Sequence, residues 1–242
     1  MPFDRFYLPE SFHLNEEKEL LGDEFTHLSK VMRKKKGDVI ELINGKGELA
    51  VATISEITKN STQLVLTKVE KGEEQAPHVI LIQAIPKLSH LEMILQKGTE
   101  LGAHSFWLYP GTFSEKTDFS KNQMNRFDHI LVSAIKQCGR LYLPKIQIFH
   151  KLDDISIDDG MVFFGDLAPK APYLKKMWDQ TIKTLYFFNG PEQGFSEKEE
   201  ALLVSKFHAK GIKLNPNILR TETAAIVAIT LFQLLQYGES LQ

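Results

Sequence analysis

The chain has 242 residues, 43% of them hydrophobic, which is material for one large domain or two modest ones with a real core. A formal net charge of -2 excludes a uniformly basic nucleic-acid binder and leaves room only for a concentrated basic patch. One cysteine, Cys138, excludes an intramolecular disulfide framework and a cysteine-rich zinc site and points to a reducing compartment. No apolar run approaches the roughly 18 residues of a membrane span, and no apolar leader core follows the first residues, so a cytosolic protein with no membrane partner is expected.

Residues 3–8 form a short apolar and aromatic stretch closed by Pro9 and read as a first strand. After Asp23, Phe25, Leu28, Val31 and Met32 recur at helical spacing until Gly37-Asp38 ends the pattern. Stretches 39–43, 49–57 and 62–69 are rich in β-branched and aliphatic residues and are parted by Asn44-Gly45 and Lys59-Asn60-Ser61. Strands joined by tight turns predict a compact β-barrel-like module. The apolar-poor run 71–77, with Gly72 and Pro77, marks a boundary between a first domain over 1–72 and a second over 77–242. Lys30, Arg33, Lys34, Lys35 and Lys36 make the densest positive cluster. A helix C-terminus favours one or two cations through its dipole; the surplus points to RNA or phosphate contact, with a solvated helix end as the plain alternative.

Stretch 78–84 is a strongly apolar strand. Ser89 with Glu92 reads as a capping box, and Leu91, Ile94, Leu95 and Leu101 supply a helical face up to Gly102. A strand at 105–109, a polar loop at 110–120 and a long helix through Ile130, Leu131, Ala134, Ile135 and Cys138 to Gly139 follow. Strands at 145–149, 161–164 and 184–188 precede a helix opened by Ser196 and Glu199 and ending near Gly211. Such alternation predicts a mostly parallel sheet with helices on both faces, and ligands in such sheets bind beyond the carboxyl ends of the strands. Loop 189–196 has that position and carries Gly190 and Gly194, which permit close backbone approach; it is neither GxGxxG nor a Walker loop, and alone it is also a common structural connection.

Asn215-Pro216-Asn217 is a strong turn, and 224–235 is a core helix stopped by Gly238. Arg220, Thr221, Glu222 and Thr223 therefore sit where free helix N–H groups and side chains could together meet a polar ligand; a helix capped by Thr221 or Thr223 is the plain alternative. The eight histidines have no metal-ligand spacing, so no metal is expected, and His78, His90, His104, His129, His150 and His208 read as scattered. Cys138 reads as a buried small hydrophobe.

His27-Leu28-Ser29-Lys30-Val31-Met32-Arg33, Gln96-Lys97-Gly98-Thr99-Glu100-Leu101-Gly102, Phe113-Ser114-Glu115-Lys116 and Gln137-Cys138-Gly139-Arg140 with Pro144 occur in order. Gly190-Pro191-Glu192-Gln193-Gly194 and Ile218-Leu219-Arg220-Thr221-Glu222-Thr223-Ala224 follow them. Over essentially its whole length the chain resembles the 16S ribosomal RNA uridine-N3 methyltransferases of the SPOUT class. The resemblance implies a PUA-like RNA-binding β-barrel domain and an α/β domain with a deep C-terminal trefoil knot. It also implies a homodimer, S-adenosylmethionine as cofactor, and 16S rRNA or the small ribosomal subunit as partner. The loops it implies for cofactor binding contain Phe164, Gly165, Phe188, Gly190, Pro191, Glu192, Gly194, Asn215, Leu219, Arg220, Thr221, Thr223 and Ala224.

Uracil N3 carries a proton at neutral pH, so its methylation needs a group that stabilises the anion or takes the proton, and a base free of its pairing partner. Arg220 is the candidate for the charge; Glu222 either orients Arg220 or accepts the proton, with a purely structural Arg220–Glu222 pair as the alternative. Charge and loop placement nominate Arg5, Arg33, Lys34, Lys35, Lys87, Lys116 and Arg140 for RNA contact. The chain departs from the family pattern at Gln193 and Asn215, where glycines are usual, and at Lys136, where a glutamate is usual. A positive φ at Gln193 would cost roughly 1 kcal/mol or more. Two other functions fit the same residues: a SPOUT methyltransferase acting on another rRNA or tRNA base, and a non-catalytic RNA-binding or ribosome-assembly protein.

Overall fold

The computed structural model describes residues 4–74, 78–179 and 183–237. Residue 3 of the expected first strand, residues 75–77 of the expected boundary and the Gly238 helix stop lie outside them. The chain divides into two compact units, one holding the residues up to Glu74 together with Val132–Leu143, the other holding the rest.

In the first unit the strands are β1 (Arg5–Tyr7), β2 (Glu17–Leu20), β3 (Val39–Ile43), β4 (Glu48–Ile57) and β5 (Thr62–Lys71), in the order β1-β3-β4-β5-β2. Only β1 and β3 pair parallel. The sheet curls around Phe6, Leu28, Ile40, Leu42, Ala50, Ile54, Leu64 and Leu66. Strand β4 shows why: Ala50, Ala52 and Ile54 point inward while Val51 and Thr53 alternate outward. Strand β2 escaped the sequence reading because Lys18 occupies an inward position. Its ammonium, beside a 9% exposed side chain, is held by Glu10 at 3.0 Å and Glu16 at 2.9 Å.

The expected helix at 23–32 is a short α-turn, α1 (Gly22–Thr26), widening into a π-turn over His27–Val31, with the Met32 N–H donating to the His27 carbonyl at 2.9 Å. Arg33 ends it in the left-handed region, φ 53. From 132–143, Lys136 Nζ reaches both carboxylate oxygens of Glu24 at 2.7 and 3.0 Å and lies 5.6 Å from the centre of the Phe6 ring. Lys136, the departure from the family's glutamate, is thus matched by an acid within its own unit.

The second unit contains β6 (His78–Ala84), α2 (Leu88–Glu100), β7 (Ala103–Tyr109), the first part of α3 (Lys121–Cys138), β8 (Lys145–Ile148), β9 (Met161–Gly165) and β10 (Thr184–Asn189). Then come α4 (Glu197–Ser205), β11 (Lys210–Ile212) and α5 (Thr221–Tyr237). All six strands pair parallel, in the order β11-β9-β10-β6-β7-β8. Both faces are buried, so successive phenylalanines serve opposite cores. Phe163 stacks on Phe232 of α5 at 6.0 Å and Phe187 meets it edge-on at 5.9 Å, whereas Phe164 and Phe188 join Leu203 and Phe207 beside α4. Gly98 lets α2 lie close to the sheet, since a Cβ there would stand 2.7 Å from Phe106.

Ser196 and Glu199 form the expected capping box of α4. The box expected at Ser89 and Glu92 does not form: α2 begins after Lys87 with no side-chain cap, and Glu92 is engaged by Arg126 at 2.7 Å. Helix α4 stops at Ser205 rather than near Gly211, because His208 turns left-handed, φ 50, and the chain enters β11. Cys138 is half-buried, not fully enclosed. No described helix is long and apolar enough to cross a membrane.

Candidate active site

Strand β10 lies between β9 and β6, and the chain leaves β6 towards β7 on one side while β9 lies on the other. That switch in direction opens a crevice at the carboxyl ends of the strands. Loops 165–168, 189–195 and 212–219, with Thr221 and Ala224 of α5, enclose a cavity of about 470 Å³ there, within the roughly 300–1,000 Å³ usual for small-molecule sites.

Each loop is fixed by its own chemistry. The Asp166 N–H donates to the Ile212 carbonyl at 2.9 Å, and Asp166 Oδ1 accepts the Ala168 N–H at 2.8 Å, which turns the chain sharply after β9. In the second loop the Gly194 N–H closes a turn on the Pro191 carbonyl at 3.0 Å, and the positive φ falls on Gly194 at 79°. A Cβ on Gly190 would lie 3.1 Å from the Gly194 backbone. Gln193 is not among the left-handed residues, so the strain feared at that position does not arise. Asn215 also keeps a negative φ, and its Oδ1 accepts the Asn217 N–H at 3.0 Å.

A buried polar network ties the second loop to α5. Gln83 Oε1 accepts from Asn189 Nδ2 at 2.7 Å, and the same Nδ2 reaches the Thr221 carbonyl at 2.8 Å. Gln83 Nε2 donates to the Gly190 carbonyl at 3.1 Å, which Thr221 Oγ1 also meets at 2.6 Å. The loop after β7 joins nearby: Thr112 N–H donates to Glu199 Oε1 at 3.0 Å, and Gly111 N–H to Ser114 Oγ at 2.9 Å.

Of the expected cofactor residues, Gly165, Gly190, Pro191, Glu192, Gly194, Asn215, Leu219, Thr221 and Ala224 line the cavity. Phe164 and Phe188 do not: at strand period two their rings are buried in the core beside α4, and the cavity is lined by Gly165 and Asn189 after them. Arg220 is exposed and Thr223 half-buried, both outside the lining. Sequence reading missed Glu200 in the wall and Gln83 behind it, whereas Asn189 and Phe195 fall within the loop it marked at 189–196. Gln83, polar near the end of an apolar strand, was the available signal. Charged groups in the wall are Asp166, Glu192 and Glu200 against Lys213, a balance suited to a cationic ligand.

Beside the cavity, Glu192 Oε1 takes the Lys87 N–H at 2.9 Å and lies 2.7 Å from His90 Nδ1. Burial pushes the Glu192 carboxyl up, but the Lys87 and Glu192 backbone hydrogen bonds and His90 outweigh it, and its pKa lies below the usual carboxylate value. Glu222 is 8% exposed, and its Oε2 has no hydrogen-bond partner among the described residues. It makes no pair with Arg220: on the first turn of α5 it faces inward, with His90 Nδ1 3.9 Å away, while Arg220 precedes the helix and points out.

Among the RNA candidates, Arg5 is corrected. Its guanidinium is 11% exposed and bound to Glu41 at 2.9 and 2.6 Å, a structural pair with no free face to offer phosphate. Lys34 pairs with Asp4, and Lys87 approaches Glu115 at 3.6 Å. Arg33 and Lys35 are exposed; Lys116 and Arg140 are half-buried.

Residues 73–233 match the family model of an RNA methyltransferase domain, and 20–67 that of an RNA methyltransferase PUA domain. Over 240 residues the chain is 31% identical to ribosomal RNA small subunit methyltransferase E of Buchnera aphidicola, spanning 95% of this chain and 92% of that protein. The chain belongs to this RNA methyltransferase family. Among solved structures, a Legionella pneumophila methyltransferase in complex with the bound cofactor SAM is 26% identical with a TM-score of 0.88, covering 97% of this chain and 98% of that one. The ribosomal RNA small subunit methyltransferase E of Neisseria gonorrhoeae, bound to S-adenosyl methionine, is 26% identical with a TM-score of 0.85 over the same shares. The curled first sheet and the parallel second sheet are thus the PUA-like and SPOUT-type halves of this methyltransferase family.

Proposed function

We propose that the protein is an S-adenosylmethionine-dependent methyltransferase that methylates N3 of a uridine in 16S rRNA of the small ribosomal subunit. The observation that carries the reading is the cavity framed by three loops at the switch point, in a chain whose family includes structures solved with this cofactor. Its wall fits the group. Three carboxylates against one lysine favour a ligand bearing a sulfonium and an ammonium, and the first-turn N–H groups of α5 can receive a carboxylate. Bound S-adenosylmethionine supplies an electrophilic methyl group; the protein aligns it and handles charge.

In this reading Gly165, Gly190, Pro191, Gly194, Asn215, Leu219, Thr221 and Ala224 hold the cofactor, largely through backbone groups, with Glu192 as a charged wall. Arg220, exposed and without a partner among the described residues at the entrance to α5, meets the negative charge that grows on the uracil oxygens. Glu222 Oε2, buried and without a hydrogen bond among the described residues, accepts the N3 proton. Arg33, Lys35, Lys87, Lys116 and Arg140 carry phosphate contacts. A homodimer with knotted threading of its last elements, as the resemblance implies, and a cytoplasmic location, as the composition implies, complete the reading. Gln193, the departure from the family glycine, is not at positive φ, so it puts no backbone strain into the cofactor loop.

Calorimetry with S-adenosylmethionine and transfer of a labelled methyl group to small-subunit RNA test the reading together. Saturable binding and RNA labelling are expected; Arg220→Ala should abolish labelling while leaving cofactor affinity within a few-fold. Equal loss of both would assign Arg220 to the cofactor site, and no binding by the unaltered protein would reject the function.

A further inference from the structure

His90 stands where three elements of the site converge: the first turn of α2, the loop after β10 and the first turn of α5. Its Nδ1 lies 2.7 Å from Glu192 Oε1 and 3.9 Å from Glu222 Oε2. Two carboxylates thus share one imidazole nitrogen, and their surroundings differ. Glu192 is also held by the Lys87 N–H at 2.9 Å and lines the cavity; Glu222 Oε2 is buried with no hydrogen bond among the described residues. A clamp built only to fasten α2 to α5 would satisfy both acids, since an orphaned buried oxygen costs stability and returns nothing to packing.

We infer that His90 is a positioning residue that divides the two acids into unlike roles, keeping Glu192 bound and ionised in the cofactor wall and leaving Glu222 Oε2 as the proton acceptor. The inference rests on the methyltransferase reading above. In the step it serves, a bond forms between the methyl carbon and uracil N3. The carbon–sulfur bond breaks with its electron pair going to sulfur, and the N3 proton passes to Glu222 Oε2, which becomes a neutral carboxylic acid. The imidazole gives its Nδ1–H to Glu192, so that acid does not compete for the proton. Unlike environments for paired titratable groups are how acid and base roles are separated. The lowered pKa of Glu192 agrees with its bound role. The groups that face His90 are Glu192 and Glu222; on its own helix Lys87 turns its ammonium to Glu115, 3.6 Å away.

The test compares single-turnover methyl transfer to small-subunit RNA against pH for the unaltered protein, His90→Ala, His90→Asn and Glu222→Gln, with cofactor affinity measured in parallel. His90→Ala should bind S-adenosylmethionine within about threefold of the unaltered protein yet transfer methyl roughly 10- to 100-fold more slowly. Its acid limb should move to higher pH, because Glu192 loses the imidazole contact that helps hold its pKa below the usual value and then competes for the proton. His90→Asn places an N–H donor where Nδ1 was and should recover most of the rate and the original limb. Glu222→Gln should be slow at every pH. An unchanged rate and profile in His90→Ala overturns the inference alone. So does His90→Asn as slow as His90→Ala, the pattern of a packing role. An unaltered protein that binds cofactor and methylates no RNA overturns the function as well. Should His90→Ala fail to fold, the His90→Asn profile decides by itself, since a 100-fold loss there contradicts the assignment.

Discussion

Thr221 Oγ1 donates to the Gly190 carbonyl at 2.6 Å while accepting from Asn189 Nδ2 at 3.1 Å, so one hydroxyl joins the glycine loop to the first residue of α5. Thr221 is 6% exposed, and a Thr221→Val substitution would remove one hydrogen bond from each partner and leave both to Gln83. The expected loss is about 1–3 kcal/mol of stability, with cofactor affinity falling as the two loops part. Thr221→Ser should restore both. Urea denaturation and calorimetry on the two variants check this.

The turn at 191–194 makes a second prediction. Gly194 has φ 79 with no atom within 4 Å of an added Cβ, so Gly194→Ala should cost roughly 1–2 kcal/mol from backbone strain alone. Gln193→Gly, a return to the family residue, should destabilise by roughly 0.4–1 kcal/mol, since it only loosens the unfolded chain. A gain in stability at position 193 would show that its backbone is strained after all.

Much of this was legible in the sequence because local chemistry and tertiary demand agreed. The apolar run 78–84, the Ser196–Glu199 cap and the Asn215-Pro216-Asn217 turn each specify their element without help from distant residues. Strand β2 was not legible, since Lys18 hides an inward position that only Glu10 and Glu16 make tolerable. Nor was the pairing of His90 with Glu192, 102 positions apart, because a lone histidine carries no sign of its partner until the chain folds. Phe164 and Phe188 mark the right strand ends, but strand period two sends their rings into the core and leaves the cavity to the residues after them.

The basic turn separates charge that is free from charge that is used. Arg33 and Lys35 are exposed, whereas Lys34 is paired with Asp4. Reversing Arg33 and Lys35 to Glu should weaken RNA binding and reduce the slope of log affinity against log salt by about 2. Lys34→Ala should instead lower stability modestly and leave that slope nearly unchanged. Filter binding across a salt series distinguishes these outcomes.

Glu192 sets a pH dependence. Its folded pKa lies below the ordinary value of 4.5. Its contribution is therefore full above that ordinary value and is lost as pH falls through the lower folded one. The stability difference between the unaltered protein and Glu192→Gln should be constant near pH 7, at about its maximum, and shrink in acid below the ordinary carboxylate value. A difference that grows in acid would contradict the assignment.

The central claim is methyl transfer to uridine N3, and N3 methylation blocks Watson–Crick pairing. The most direct measurement is therefore mass mapping of small-subunit RNA, with primer extension at the modified site, from cells with and without this protein. The account predicts a single N3-methyluridine that halts primer extension and disappears when the protein is removed. Identical maps in the two strains, or a lost methyl group that proves to lie on a ribose or on another base, would contradict it.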